Sequence, residues 1–258
     1  MMEARNVSQD WIGATSSSKG RHNMSVKQIL PGLYQITTAG LNVFLIDSGE
    51  LILVDVGPPN NAKAIQKAVQ AIGRQITDIR HILVTHCHRD HAGSLAAVKQ
   101  ITGAPAYMHP IGAAAVRMGK TRWENSTPPP NFLAKIIFNT ITFRLAHGEG
   151  FEPAAVENEV QDGDVIPIAG GIRAIHVPGH SGGQLAFLWE KNGGVLFAAE
   201  AGVITFGLNP PFAYEDFEEV KGSLAKIAAL DFDTACFCHG KTIVHGASDM
   251  FKQKWGTI

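Results

Sequence analysis

The chain has 258 residues, 45% hydrophobic and 17% charged, with a formal net charge of −1. That apolar share is enough for one sizeable core, and no basic excess is left to neutralise a phosphate backbone, so nucleic acid is excluded as the expected partner. Three sparse cysteines, Cys87, Cys236 and Cys238, point to reduced thiols and a cytoplasmic setting, and no apolar run of about 18 residues predicts a membrane span. Residues 1–23 read by composition as a disordered tail without a signal core, and Met24 is compatible with a natural start. Residues 24–258 read as a single domain. Runs at 26–30, 33–38, 42–47 and 51–56 are β-prone and are punctuated by Pro31-Gly32, Ala39-Gly40 and Ser48-Gly49, which predicts an antiparallel meander. A helix opens near 58–61, carries Ile65, Ala68, Val69 and Ile72 at helical spacing, and stops at Gly73. A buried strand at 81–85, a helix at 92–101 and a strand at 106–109 follow. Residues 119–156 break this rhythm and read as an insertion, with a stiff Thr127-Pro128-Pro129-Pro130 linker and a helix capped by Asn131. Strands resume at 165–168, 172–177, 184–189 and 195–199. A helix carrying Phe217, Val220, Leu224 and Ile227, a strand at 234–238 and a helix at 247–255 complete the chain. The order reads as two similar halves, with helices outside two packed sheets.

The chemistry concentrates in Thr85-His86-Cys87-His88-Arg89-Asp90-His91, at the end of the 81–85 strand. Imidazole nitrogens and carboxylate oxygens suit zinc, iron or manganese. His86 and His88 are two apart and point the same way in an extended turn. Asp90 and His91 follow as a helix begins, so the turn presents two ligand pairs to two adjacent positions. Eleven histidines in 258 residues rarely put three within six positions by chance, which disfavours a polar loop without metal. A tetrahedral site needs about three protein ligands plus water, so distant ligands are required. Strand ends offer three candidates: His180 in Pro178-Gly179-His180, Glu200 after the 195–199 strand, and His239 in Cys238-His239-Gly240. For Glu200 the bland alternative is a salt-bridged or hydrogen-bonded acid.

Together these residues resemble the metallo-β-lactamase superfamily, with its His-x-His-x-Asp-His motif, a later His after Pro-Gly, an acid after a buried strand and a His before Gly. The resemblance runs from about residue 26 to the C-terminus and implies an α/β (α+β) fold, a four-layer αββα sandwich with metals at the sheet edges. It implies that His86, His88 and His180 hold a first ion, and Asp90, His91 and His239 a second. Asp55 matches the family's early strand-end aspartate and is expected behind the ligands, accepting from a ligand imidazole or a turn amide. One position departs: Glu200 stands where the family usually has aspartate. The extra methylene requires a folded-back side chain or a retreating backbone if the carboxylate is to bridge, and otherwise leaves it on one metal. The implied cofactors are two divalent ions, zinc first, with iron or manganese also suited and the second site less secure.

The implied function is a metal-dependent hydrolase, with a metal-bound hydroxide attacking a small ester, thioester or lactone and Asp90 orienting that nucleophile. A mononuclear-iron oxidoreductase resembling persulfide dioxygenases, and a non-catalytic metal-binding protein, are the alternatives. Only 19 residues follow His239, which disfavours the glutathione-binding extension of a hydroxyacylglutathione hydrolase. A small-molecule substrate is the expected partner. Trp123, Phe132, Phe138 and Phe143 in the insertion offer a lid, a pocket wall or a homodimer contact. The loop carrying Phe206, Pro210, Pro211, Phe212 and Tyr214 is placed to touch substrate if Glu200 lies at the metals. His22, His81, His109, His147, His176 and His245 read as non-ligands, His109 being the one nearest the motif helix. Strand alternation turns Cys87 away from the ligands into the core, and Cys238 reads the same way.

Overall fold

A computed structural model describes residues 24–38, 40–122, 126–127, 136, 150–204 and 207–257. In chain order the first half holds β1 (Ser25–Leu30), β2 (Leu33–Thr38), β3 (Leu41–Asp47), β4 (Leu51–Val54), α1 (Ala62–Ala71), β5 (Ile79–Leu83), α2 (Arg89–Ala92), α3 (Leu95–Thr102), β6 (Ala106–Met108) and α4 (Pro110–Arg117). After the insertion come β7 (Asn158–Glu159), β8 (Val165–Ile166), β9 (Ile172–His176), β10 (Leu185–Trp189), β11 (Val195–Ala199), β12 (Val203–Ile204), β13 (Leu208–Asn209), α5 (Phe217–Ala228), β14 (Thr234–Phe237), β15 (Ile243–Val244) and α6 (Ala247–Trp255).

Residue alternation in the central strands decides the layering. On β3, Val43 and Leu45 face one way and Phe44 and Ile46 the other, all buried; Leu51 and Leu53 on β4 are split from Ile52 and Val54 in the same way. β10 and β11 repeat the pattern, with Ala186, Leu188, Leu196 and Ala198 on one face and Phe187, Trp189, Val195 and Phe197 on the other. Strands apolar on both faces must be covered on both. The result is three apolar layers between four structural ones. The first sheet packs its outer face on α1–α4, the second on α5 and α6, and the inner faces meet, as where Phe44 sits edge-on to Phe197 at 5.6 Å. Each such buried side chain contributes about 1.5–3 kcal/mol.

The first sheet runs β1-β2-β3-β4-β5-β6-β7 and the second β15-β14-β11-β10-β9-β8, with β12 and β13 forming a small ribbon. The meander β1 to β4 is antiparallel, while β5, β6 and β7 add in parallel, and β14 joins β11 in parallel through α5. This is the four-layer sandwich the family resemblance implies. Among the described residues no helix is long and apolar enough to cross a membrane.

Several boundaries differ from expectation. β5 ends at Leu83 because Thr85 leaves the first sheet: its carbonyl accepts from Leu185 N of β10 at 2.8 Å. The 92–101 helix is two helices with Gly93 between them. A Cβ on Gly93 would stand 2.2 Å from the Arg89 carbonyl oxygen and 2.4 Å from Pro59 Cδ, so only glycine fits this approach. The short α4 was not anticipated; Pro110 begins it, and His109 accepts from Ile111 N as its cap. Most of the 119–156 insertion, the whole 1–23 tail, and Trp123, Phe132, Phe138, Phe143 and Phe206 lie outside the described residues.

Candidate metal centre

The two sheets meet along one edge, joined by the Leu185–Thr85 hydrogen bond and by Asn42 N donating to Cys238 O at 2.8 Å. The motif turn leaves β5 at this edge. His88 is still extended (φ −65°, ψ 149°) before α2 begins at Arg89, so His86 and His88 share a side while Cys87 turns into the helix-side core. His180 arrives from the loop after β9. His88 Nδ1 lies 3.0 Å from His86 Nε2 and 2.9 Å from His180 Nε2. His180 Nδ1 is 2.7 Å from the Ala213 carbonyl, which can only accept, so the proton sits on Nδ1 and Nε2 presents a lone pair to the cluster. All three rings are buried. Burial, then the neighbouring imidazoles, hold His86 and His88 well below the usual histidine range, in the neutral form a metal requires.

Asp90, His91, Glu200 and His239 form the second group. Glu200 Oε1 lies 3.1 Å from His91 Nε2 and 2.9 Å from His239 Nε2, and Asp90 Oδ2 is 3.4 Å from His239 Nε2. The other Glu200 oxygen, Oε2, is 3.5 Å from His180 Nε2 in the first group. The carboxylate thus faces both groups, one oxygen to each. The backbone is irregular just before Glu200. β11 shifts register at Ala199, whose φ of 50° is left-handed, and Glu200 N turns back to Gln184 Oε1 at 3.3 Å.

Asp55 stands behind the second group. At the end of β4, in the left-handed region (φ 60°), its Oδ1 accepts from Thr85 N at 2.8 Å and its Oδ2 from His91 Nδ1 at 2.8 Å. That fixes the His91 proton on Nδ1 and aims Nε2 at Glu200. The electrostatics are those of an anionic nest. Burial alone would lower His91, but electrostatic interaction with neighbouring Cys238, Asp55 and Asp90 raises it well above its ordinary value. His239 likewise resists burial and is raised to about 11, chiefly by Glu200 and Asp90. Against burial, His91 and His239 lower Asp90 to about 2, and His180 and His239 hold Glu200 well below the carboxylate range.

The donor chemistry fits two divalent ions. His86, His88 and His180 offer ligand atoms within 4.8 Å of one another, as do Asp90, His91, Glu200 and His239. Every candidate ligand named from the sequence falls into one of these two groups. Cys238 is buried, as its reading as core expects, and its Sγ also lies within 4.8 Å of a ring nitrogen of His91 and of His239. Thr85 and Gln184, given no role from sequence, position Asp55 and Glu200. The remaining histidines stand apart. His109 stacks on His176 at 4.3 Å, His81 meets the Tyr107 hydroxyl at 3.2 Å and His245 pairs with Asp233 at 2.6 Å; His22 and His147 are outside the described residues.

Comparison with known proteins places this geometry. The uncharacterized protein YobT of Bacillus subtilis is 30% identical over 219 residues, 78% of this chain and 83% of its own length. An atrochrysone carboxyl ACP thioesterase of Pseudocercospora fijiensis is 25% identical, across 85% of this chain and 55% of its length. The chain spans about half the length of the fungal relatives it matches. Among solved structures, a β-lactamase from Chitinophaga pinensis superposes with a TM-score of 0.65 at 26% identity, covering 88% of this chain and 83% of that one. Residues 37–239 match the family model for the metallo-β-lactamase superfamily, and the chain belongs to that superfamily.

Proposed function

We propose that the chain is a metal-dependent hydrolase of a small ester, thioester or lactone, using two divalent ions held by His86, His88 and His180 and by Asp90, His91 and His239, with Glu200 between them. The observation that carries this reading is the Glu200 carboxylate, one oxygen toward each group at 2.9–3.5 Å. It weighs against a mononuclear-iron oxidoreductase, because both donor sets are complete. Two ions bound there would supply Lewis acidity, polarising a carbonyl and acidifying a water. The protein's own groups do the positioning. Asp55 fixes the His91 tautomer, and the Ala213 carbonyl fixes that of His180. The buried rings of His86, His88 and His180 close one side. Asp90 and His239, with side chains 27% and 35% exposed, leave the other side open to substrate. Asp90, lowered to about 2, is placed to accept a hydrogen bond from an attacking water and would aim it at the carbonyl. The thioesterase among the relatives supports the acyl-transfer class. The net charge of −1 offers no basic excess for a nucleic acid, and zinc suits the histidine-rich donor set best.

The test is a panel of aryl esters, acyl thioesters, lactones and a phosphodiester, run on the metal-depleted chain reloaded with zinc, manganese or iron. The expected result is ester, thioester or lactone turnover that disappears on chelation and returns with about two ions per chain. One iron per chain with thiol-dependent oxygen uptake, and no hydrolysis, would overturn it.

A further inference from the structure

Glu215 stands outside both donor groups, yet it fastens the loop that delivers His180 from both ends. On one side of His180, the backbone N of Glu215 donates to the Gly179 carbonyl at 2.7 Å, joined by Asp216 N at 3.0 Å. On the other side, Gly182 N donates to Glu215 Oε2 at 2.9 Å, while the Gly182 carbonyl accepts from His176 Nε2 at 2.9 Å. The same segment holds the ring itself, since Ala213 O takes the His180 Nδ1 proton at 2.7 Å. The remaining Glu215 oxygen, Oε1, looks toward the insertion, where Arg122 Nε is 3.5 Å away. Arg122 sits at a left-handed φ of 58°, a conformation that arginine seldom adopts and that surrounding contacts must hold. Between these two links, Tyr214 O accepts from Thr127 N at 2.7 Å and from Thr127 Oγ1 at 3.0 Å. Residues 213–215 therefore face two ways, toward His180 and toward the insertion. The Glu215 side chain is only 13% exposed, so solvent screens its carboxylate little from either partner.

We propose that Glu215 is a positioning residue for the first ion, seating His180 through Gly179 and Gly182 and tying that seat to the insertion through Arg122; this rests on the two-ion reading above. Of the three histidines in the first group, His86 and His88 come from one turn, whereas His180 comes from the second sheet. Its Nε2 meets theirs only if the loop after β9 is held in place. A charged acceptor bonds Gly182 N more strongly than a neutral one would, and the Arg122 guanidinium fixes how that carboxylate is turned. Asp90, His91 and His239 sit on other turns, so the seat acts on the first ion rather than the second. The insertion, which supplies no ligand among the described residues, thereby gains a hold on the first ion.

The experiment titrates the metal-depleted full chain and its variants with zinc against a chromophoric chelator. Glu215→Ala leaves Gly182 N and Arg122 without their acceptor, and the first equivalent should weaken about tenfold or more while the second is unchanged. Glu215→Gln keeps an acceptor for Gly182 N and should recover most of that loss. Arg122→Ala should match Glu215→Gln, and combining the two should add nothing, because both remove the same ion pair. The unsubstituted chain gives a reading that needs no variant: the NMR signals of the Gly182 amide and the Arg122 Nε–H should both shift with the first equivalent and stay in place through the second. Signals that ignore the first equivalent, unchanged first-equivalent affinity in folded Glu215→Ala, additive losses in the double variant, or equal losses at both equivalents with a lowered melting temperature would overturn the seat and leave the two-ion reading intact. Two equivalents bound with the expected split, but no ester, thioester or lactone turnover, would support the seat and overturn the hydrolase reading.

Discussion

Asp55→Asn tests whether the His91 tautomer sets the strength of the second site. The Asp55 carboxylate accepts from two N–H donors on opposite sides, Thr85 N and His91 Nδ1, each at 2.8 Å, and from the Thr85 hydroxyl at 2.9–3.0 Å. Asparagine offers one acceptor oxygen and one NH2 in the same space, so one N–H must lose its partner. Its backbone tolerates the left-handed φ of 60° nearly as well as aspartate does, so the turn itself is not the variable. If the amide oxygen stays with Thr85 N, its NH2 faces His91 Nδ1. The ring must then carry its proton on Nε2, the nitrogen that lies 3.1 Å from Glu200 and would bind the ion. Loss of such a supporting partner weakens metal binding about 10–100-fold, or about 1.4–2.8 kcal/mol at 1.4 kcal/mol per decade. The assay is zinc titration against a competing chromophoric chelator. The first equivalent, on His86, His88 and His180, should bind as before and the second about 10–100-fold more weakly. A folded Asp55→Asn protein that binds both equivalents with unchanged affinity would refute the reasoning.

Four further outcomes are expected. Glu200→Asp shortens the side chain by about 1.5 Å and draws the carboxylate away from His91 and His239, so the second equivalent of zinc should weaken; unchanged or tighter binding in the same titration would show that the backbone adjusts. Gly179→Ala puts a Cβ 2.3 Å from Val220 N at a φ of 118°. It should cost at least about 2 kcal/mol, read as a fall in melting temperature, and an unshifted melt would contradict the packing. Phe187→Ala empties a fully buried position between the sheets and should cost about 3–5 kcal/mol in denaturant unfolding; a loss under about 1 kcal/mol would argue against a tight inner layer. Finally, the metal-free centre keeps His91 and His239 protonated at neutral pH, their values being raised, that of His239 to about 11. Adding zinc in weak buffer should release protons and affinity should fall as pH falls, because protons and ions compete for the same nitrogens; proton uptake would invert that sign.

The gathering of the candidate residues was legible because they sit at strand ends, where sequence punctuation is strong. His180 follows Pro178-Gly179 and His239 precedes Gly240, so each marks a chain leaving a sheet. The layering was legible from alternation, since β3, β4, β10 and β11 bury both faces. What escaped is what depends on partners distant in sequence. The two-residue strands β7, β12, β13 and β15 carry too little pattern to announce themselves. The α4 helix, Ala-rich and starting immediately after β6, shows no long apolar period. Glu200 was ambiguous because side-chain length is written in the sequence, but the imidazoles its two oxygens face, on distant loops, are not.

The candidate ligands are divided between the two sheets. His86, His88, Asp90 and His91 ride on the turn after β5, whereas His180, Glu200 and His239 leave β9, β11 and β14. Bound ions would therefore rivet the halves of the sandwich together, and their binding energy would add to the resistance of the inter-sheet seam against parting. Chelation should loosen that seam first, and hydrogen exchange should rise at Leu185 N and Asn42 N, the two amides that cross it here, before the sheets themselves open. Any slippage of one sheet along the other would pull the donor sets out of register while every strand stayed paired, so metal affinity would act as a strain gauge for the whole fold.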